Sequence, residues 1–361
     1  MRLLVDGSAH TGRAGGIPLY LERLVRTLTE LLDITVLTSV PERFEPIGCD
    51  VVPIPKWTRR QSGRIFWELT RLHCYASRRY DALFCATPIA PPLVRVPILS
   101  VVHDITPLVM HSMFDPKTKA LFWSSLQTLR RANAVFTVSN HTMRDLRRMK
   151  IANPERSAVV YPGIQNEPTA GTSALGNELK PFVLYVGSHL PNKNLRRLAA
   201  AFARLRGHDG LKLVLAGVDM ESRLMLTRQA VQKCGIRNRV VILDRELSSV
   251  EITSLYRNCS CFVHPSLYEG FGSPLIEALA HGAPATCSRD SSLSEVAGDA
   301  ATTFDATSVE DIARAIQQLL DDDSLRTRLC DAGPERAKSF TWQRAALAVA
   351  ATVQRLRRHP G

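Results

Sequence analysis

The chain has 361 residues, 45% hydrophobic and 22% charged, which is enough for two ordinary cores on a length prior of about 150 residues per domain. No apolar run reaches the roughly 20 residues a membrane-spanning helix needs. The eight cysteines form no C-x-x-C pair, which argues for mostly buried thiols in a reducing cytosol and against a disulfide or zinc framework. The net charge of +12 is uneven: residues 1–165 hold 22 Lys and Arg against 13 Asp and Glu, an excess of +9, and the remainder holds +3. A basic N-terminal half suits an anionic partner, such as a peripheral membrane surface or a phosphorylated acceptor, or serves solubility alone. Nucleic acid is not expected, because no zinc-finger, RNP or recognition-helix pattern accompanies the charge.

In chain order, Arg2 to Asp6 is expected as a first strand, its early acid being wrong for a secretory signal. A loop from Gly7 to Gly16 then leads into an amphipathic helix, Ile17 to Leu31. Gly12, Gly15 and Gly16 lack G-x-G-x-x-G spacing, so a dinucleotide fingerprint is absent, but a Gly-Gly loop that lets backbone approach a phosphate stays open. Ile34 to Thr38 and Val51 to Ile54 continue the strands, and their alternation with helices predicts a parallel α/β sheet. Residues 56–80 form a basic, aromatic helical stretch containing Trp57, Arg59, Arg60, Arg64, Phe66 and Trp67. It is either a membrane- or acceptor-facing surface or an amphipathic helix with Trp67 in the core.

Val96 to Val102 is a buried strand that ends at His103-Asp104. Ligands of open α/β sheets gather outside strand C-termini, which makes His103 a candidate to meet a sugar hydroxyl or a developing positive charge. Asp104 is a candidate to orient it or to contact an acceptor; a strand-end His satisfied by loop backbone is the competing reading. Ala134 to Ser139 is the next strand, with Ser139 or Asn140 capping a basic helix to Met149. Val159 to Tyr161 is one more, and residues 166–180, rich in Gly, Ser, Thr, Asn and Pro, form a linker.

A second α/β series follows. Phe182 to Val186 is a strand, and Gly187 to Asn194 is a loop in which Lys193 can neutralise phosphate charge. Strands Leu211 to Ala216 and Val240 to Leu243 alternate with helices Leu195 to Leu205, Met220 to Cys234 and Val250 to Asn258. A buried strand, Cys261 to Pro265, then precedes Tyr268-Glu-Gly-Phe-Gly-Ser-Pro-Leu-Ile-Glu277. Here Ser273 is the expected N-cap, Glu277 falls in the first turn, and Gly282 closes the helix left-handed. Strand, glycine loop and helix N-terminus make an anion site suited to a diphosphate. Glu269 and Glu277 would repel phosphate unless each accepts hydrogen bonds from hydroxyl groups, so the pattern suggests a ligand with both phosphate and sugar. The bland alternative is an ordinary strand–loop–helix with a solvated Glu. Ala283 to Thr286 is a further strand, and helices are expected at 309–320, from 324 and at 342–358. The domains are expected at 1–165 and 181–340, with a final helix, 341–361, packing back on the first and a ligand cleft between them.

At this point the chain resembles the retaining family-4 glycosyltransferases with the GT-B fold, two Rossmann-like parallel-sheet domains facing across a cleft. The residues that carry the likeness are Val186-Gly187 with Pro191-Asn-Lys-Asn194-Leu195, then Pro265 to Gly272, then Pro274 to Gly282. Ser291 to Val296 with Gly298-Asp299-Ala300 extends it. Gly15-Gly16-Ile17, Val102-His103-Asp104, Val138-Ser139 and Tyr161-Pro162-Gly163 match more loosely.

The resemblance implies a catalytic pair, Glu269 on the donor-sugar hydroxyls and His103 at the reacting centre. It also implies donor contacts from Gly270, Phe271, Gly272 and Leu275, with Glu277 on the ribose, Lys193 on the diphosphate, Gly16 in the first loop and Asp104 facing the acceptor. The implied reaction is front-face hexosyl transfer with retention, from a nucleoside-diphosphate sugar to a glycan or polyprenyl-diphosphate-linked acceptor of cell-surface polysaccharide or lipopolysaccharide. No metal or other cofactor is implied, and Asp321-Asp322-Asp323 is expected as solvated capping. Mannose, with GDP-mannose as donor, is one candidate on the N-terminal patterns, and the place of work would be the cytoplasmic face of the membrane. Many relatives carry an Arg where this chain has Asn192 or Ser188, which leaves Arg13, Arg245 or Arg289 as a second cation. A sugar-nucleotide-binding protein without transferase activity is the alternative, and a GT-B phosphorylase or epimerase fits less well.

Overall fold

A computed structural model describes residues 1–12, 15–110, 113–164 and 173–358; Arg13 and residues 165–172 of the expected boundary lie outside the described residues. The chain forms two compact units, Met1–Gly163 with Thr341–Gly361, and Ile164–Phe340.

The first unit is built on strands β1 (Arg2–Asp6), β2 (Asp33–Thr38), β3 (Asp50–Pro53), β4 (Ala82–Cys85), β5 (Ile98–Val102), β6 (Ala134–Thr137) and β7 (Ser157–Val159). They pair in parallel in the order β3-β2-β1-β4-β5-β6-β7. The second unit holds β8 (Phe182–Val186), β9 (Lys212–Ala216), β10 (Val240–Leu243), β11 (Cys261–His264), β12 (Ala285–Ser288) and β13 (Ala301–Phe304). Their order is β10-β9-β8-β11-β12-β13, again parallel. Helices cover both faces of such sheets, so the central strands are apolar throughout: Leu3, Leu4, Val5, Leu83, Phe84, Phe262 and Val263 have no exposure. Each unit therefore gathers its loops at the strand C-termini, where β1 and β8 stand at the change of strand order.

Several elements depart from the sequence expectation. β4, at the centre of the first sheet, escapes because four wholly buried residues carry no periodicity. The helix Pro116–Thr128 buries only Leu126, so it has no amphipathic pattern; its signal is Asp115, whose carboxylate accepts from the Thr118 N–H at 3.0 Å. Within the polar linker lies a short helix, Leu175–Leu179, docked where the Gly176 N–H donates to Ser254 Oγ at 3.1 Å. A Cβ at Gly176 would stand 2.3 Å from the Ser254 carbonyl oxygen, so only glycine permits that approach. The stretch 56–80 breaks into a 3-10 turn, Lys56–Arg59, and helices Gln61–Thr70 and Leu72–Tyr75. Its two readings divide by residue: Trp67 is 1% exposed and lies in the core, while Trp57 and Phe66 are 45% and 56% exposed. The last helix, Trp342–Arg358, belongs to the first unit and sets Trp342 edge-on against Tyr20.

A buried carboxyl pair, Asp6 and Glu68, lies at the C-terminal end of β1. Glu68 Oε1 accepts from Ser8 Oγ and Thr87 Oγ1, each at 3.2 Å, and Arg64 Nε lies 3.6 Å away. Burial, reinforced by the Asp6 charge, pushes Glu68 up to about 8. A carboxyl raised on folding contributes stability that is present below its unfolded value near 4.5 and is lost as pH rises through about 8. Glu68→Gln, which fixes the neutral state, should therefore gain thermal stability relative to wild type between acidic and alkaline pH. Parallel pH profiles of Tm for the two proteins would contradict this.

Candidate functional site

In the second unit two loops meet, one after β8 and one after β11. The first turns at Gly187, where φ is +150° and a Cβ would stand 2.6 Å from Tyr185 Oη. It continues as a single 3-10 turn, Pro191–Lys193, and enters the helix Leu195–Phe202 through Asn194 in a left-handed conformation. Asn194 Nδ2 donates to the Pro265 carbonyl at 3.0 Å and the Ala306 carbonyl at 2.7 Å. Asn192 Nδ2 donates to the Tyr268 carbonyl at 3.2 Å, and the Leu267 N–H donates to the Asn192 carbonyl at 2.8 Å. Three of these bonds stitch the two loops together and bring Lys193 against Glu269, while the fourth ties Asn194 to the segment after β13.

Lys193 Nζ donates to Glu269 Oε1 at 2.5 Å, and His264 Nε2 lies 3.1 Å from the same oxygen. Among the described residues the second carboxylate oxygen has no partner. The Lys193 and Glu269 side chains are 18% and 12% exposed, that of His264 only 2%. Burial opposes ionisation of Glu269, but the Lys193 charge and the His264 hydrogen bond outweigh it and hold the carboxyl well below its usual range. Burial likewise lowers His264, which remains a neutral imidazole donating from Nε2 while its buried Nδ1 finds no partner among the described residues. The edges of Tyr185 and Phe262 hold the ring in place.

The next helix runs Ser273–Ala280 with Gly272, not Ser273, as its N-cap; the Ser273 side chain makes no cap bond. Gly272 has φ +92°, a backbone that L side chains rarely adopt, and a Cβ there would also displace the Leu293 Cδ2 end, 2.2 Å away. This one-residue shift places Glu277 beyond the first turn, where Tyr256 Oη donates to its Oε2 at 3.2 Å. Tyr256 is fully buried and stacks on His281. Gly282 ends the helix at φ +70°. Gly270, Phe271 and Gly272 are buried in the loop, with the Phe271 ring edge-on to Phe340. The Leu275 side chain, an expected donor contact, has no exposure, and its N–H donates to the Gly272 carbonyl at 2.9 Å.

In the first unit, His103 follows β5 and its Nε2 donates to the Ala86 carbonyl at 3.0 Å, with Tyr20 edge-on at 4.7 Å. Burial lowers its pKa and keeps it neutral. The ring is thus oriented by backbone and not by Asp104, whose Oδ1 instead accepts from the Thr106 N–H at 2.8 Å. Gly16 opens the helix Gly16–Leu28, and a Cβ there would meet nothing within 4 Å. The loop before it is braced by His10, which donates from Nε2 to Glu22 at 2.7 Å and accepts from the Gly12 N–H at 3.1 Å.

Two candidates for the second cation are committed elsewhere: Arg245 to Glu251 at 2.5 Å and Arg289 to Asp311 at 2.7 Å. Asp322 caps the helix Asp323–Ala337 through the Leu325 N–H. No role is expected from the sequence for His264 and Tyr256, which back the two glutamates, or for the amides of Asn192 and Asn194, which join the loops. His264 was legible by the reasoning applied to His103, since it too ends a buried strand. Asn194 supports a direct test. Asn194→Gly should cost about 1–3 kcal/mol in urea unfolding by leaving two buried carbonyls unpaired. Asn194→Ala should cost roughly a further 1 kcal/mol for its left-handed backbone. Equal stabilities for the two variants would deny the conformational part.

The sequence family "Glycosyl transferases group 1" matches residues 173–336, and "Glycosyltransferase Family 4" matches residues 14–167. The O-antigen chain mannosyltransferase B of Escherichia coli is 35% identical over 167 residues, 45% of this chain and 42% of that protein. The serotype-specific mannosyltransferase WbdA of Escherichia coli is 27% identical over 262 residues, 68% of this chain and 32% of that protein. The chain thus spans less than half the length of either relative. Among solved structures, Anabaena HepE in complex with UDP and glucose superposes with a TM-score of 0.78 at 18% identity, over 99% of this chain and all of that one. The two family matches fall one on each parallel-sheet unit, and the chain belongs to the family-4, group 1 glycosyltransferases.

Proposed function

We propose that the protein is a retaining glycosyltransferase that moves a hexose from a nucleoside-diphosphate sugar to a glycan or lipid-linked acceptor of cell-surface polysaccharide. The observation that carries the reading is the cluster Lys193–Glu269–His264, a cation and an ionised carboxylate side by side at the end of a parallel sheet. The cation suits a diphosphate, and the carboxylate, with one oxygen unengaged, suits sugar hydroxyls. Glu277, backed by Tyr256, suits the hydroxyls of a ribose. Mannose is the sugar the reading favours, because the relatives named above are O-antigen and serotype-specific mannosyltransferases.

In the proposed reaction the acceptor hydroxyl oxygen bonds to the anomeric carbon on the face from which the nucleoside diphosphate departs. The bond from that carbon to the diphosphate oxygen breaks, its electron pair stays on the leaving oxygen, and that oxygen takes the acceptor's proton. Lys193 and the N-terminus of the helix Ser273–Ala280 stabilise the charge that develops there. Glu269 holds the sugar, and His103 of the first unit supports positive charge on the sugar through its backbone carbonyl. The reading calls on no metal. Gly16 and Asp104 are assigned to the first loop's approach to the donor and to the acceptor.

Peripheral membrane association at the cytoplasmic face is part of the same proposal. Its support is the +9 excess and the exposed pair Trp57 and Phe66, with ring centroids 6.1 Å apart beside exposed Lys56, Arg59 and Arg60. Among the described residues no helix is long and apolar enough to cross a membrane.

Thermal-shift screening of GDP, UDP and their sugars should find one nucleotide that raises Tm. Glu277→Ala should then raise donor KM steeply, and Glu269→Ala should collapse kcat; wild-type kinetics in both would sink the assignment. Donor binding without product on any lipid-linked acceptor would favour a binding protein. Sedimentation with anionic vesicles should fall as salt rises, and salt-independent recovery in the supernatant would count against the membrane surface.

A further inference from the structure

The most informative feature of the site is that its two charged groups neutralise each other. Lys193 donates to Glu269 Oε1, and among the described residues it has no other partner. Glu269 is ionised and 12% exposed, and besides Lys193 its carboxylate has, among the described residues, only the neutral donor His264. A group that draws Lys193 away leaves a carboxylate in a poorly solvated place with one neutral hydrogen bond, and such a carboxylate is costly to leave uncompensated. The two ligands of a transferase differ at this point. An intact donor brings a diphosphate for Lys193 and, at the same time, hydroxyl donors for Glu269. The nucleoside diphosphate left after transfer carries more negative charge and no hydroxyls at that position.

Resting on the donor-site reading above, we infer that Glu269 is also a product-release residue: it competes with the bare nucleoside diphosphate for Lys193, so that the spent nucleotide binds more weakly than the Lys193 charge alone would allow. The intact donor escapes this competition because its sugar satisfies the carboxylate. The neighbours fit such a role. His264 anchors Glu269 from the buried side, so the carboxylate cannot swing away when Lys193 leaves. Asn192 and Asn194 fix the lysine loop to the glutamate loop, so the ion pair re-forms without a loop having to close. Arg245 and Arg289 are paired with other carboxylates and do not relieve the competition.

The test is calorimetric titration of the full chain with GDP or UDP, whichever raises Tm, and with the corresponding nucleotide sugar. Glu269→Gln removes the charge, keeps the shape and retains an acceptor for His264. It should bind the bare nucleoside diphosphate about five- to tenfold more tightly than wild type, the span expected for one partly screened charge at this range, and bind the nucleotide sugar no more tightly. The gain should vanish in a Lys193→Met background, where nothing is left to compete for. If Glu269→Gln binds the bare nucleotide no more tightly, or gains equally without Lys193, the inference is overturned while the donor site stands. If wild type binds neither nucleotide nor nucleotide sugar, the donor-site reading falls and this inference with it.

A measurement on wild type alone covers the case in which the variant does not fold. The free monosaccharide of the accepted donor, added at millimolar concentration, should tighten binding of the bare nucleotide, because its hydroxyls take over Glu269. Nucleotide affinity indifferent to the sugar would overturn the inference.

Discussion

The second unit is organised around one electrostatic constraint: a glutamate kept ionised where little water reaches it. Glu269 meets that constraint through Lys193 and His264 on a single oxygen. Neither partner would be in reach without backbone that the rest of the unit enforces. Lys193 arrives because Asn194 accepts a left-handed conformation and spends its amide on two carbonyls from distant segments, Pro265 and Ala306. His264 arrives because β11 ends there, between β8 and β12 in the sheet. A hydrogen bond from buried imidazole to buried carboxylate strengthens in low dielectric, and the same dielectric would penalise the carboxylate if either partner were lost. The site is therefore rigid for the reason that it is charged.

A second carboxylate follows the same plan one helix away. Glu277 is backed by the Tyr256 hydroxyl, and burial pushes that phenol well above its ordinary range, so it stays a donor. Each glutamate thus receives one hydrogen bond from a fully buried ring behind it. Preorganisation of this kind removes rotamer freedom before a ligand arrives, which lowers the entropic cost of holding flexible hydroxyl groups. Gly272, between the two glutamates, completes the arrangement. Its positive φ starts the helix one residue earlier than a serine cap would, and that choice carries Glu277 out of the first turn and next to Tyr256.

Much of this architecture was legible in the sequence, and the parts that were not share a cause. The parallel α/β class followed from alternating apolar runs and amphipathic helices, and the motif from Pro265 to Gly282 announced a strand, a glycine loop and a helix. Periodicity fails where an element is buried on all sides or on none. β4 is the first case, with every residue inside, and the helix Pro116–Thr128 is the second, with only Leu126 inside. Side-chain partnerships fail for a different reason. That Asn192 and Asn194 bond to residues more than 70 positions away depends on which loops the sheet order brings together, and β8 beside β11 is a tertiary fact. The helix cap differs from the expectation because Ser273 has the right chemistry for a cap, yet Gly272 carries the left-handed backbone at the helix start.

The charge balance of the site limits how it could compensate an anionic ligand. Lys193 is a single cation already matched by a single anion, so the pair presents almost no net charge. Arg245 and Arg289, the described arginines considered as reinforcement, are spent on Glu251 and Asp311. A ligand with two or more negative charges must therefore draw much of its compensation from uncharged sources. Backbone N–H groups of the glycine loop and the positive end of the helix Ser273–Ala280 are the sources on hand, and their strength comes from fixed orientation, not from formal charge. That dependence makes this segment sensitive to substitution in physical terms. A side chain at Gly272 would disturb the helix start on which the dipole depends, and the loss could not be recovered from Arg245 or Arg289, which are paired with Glu251 and Asp311.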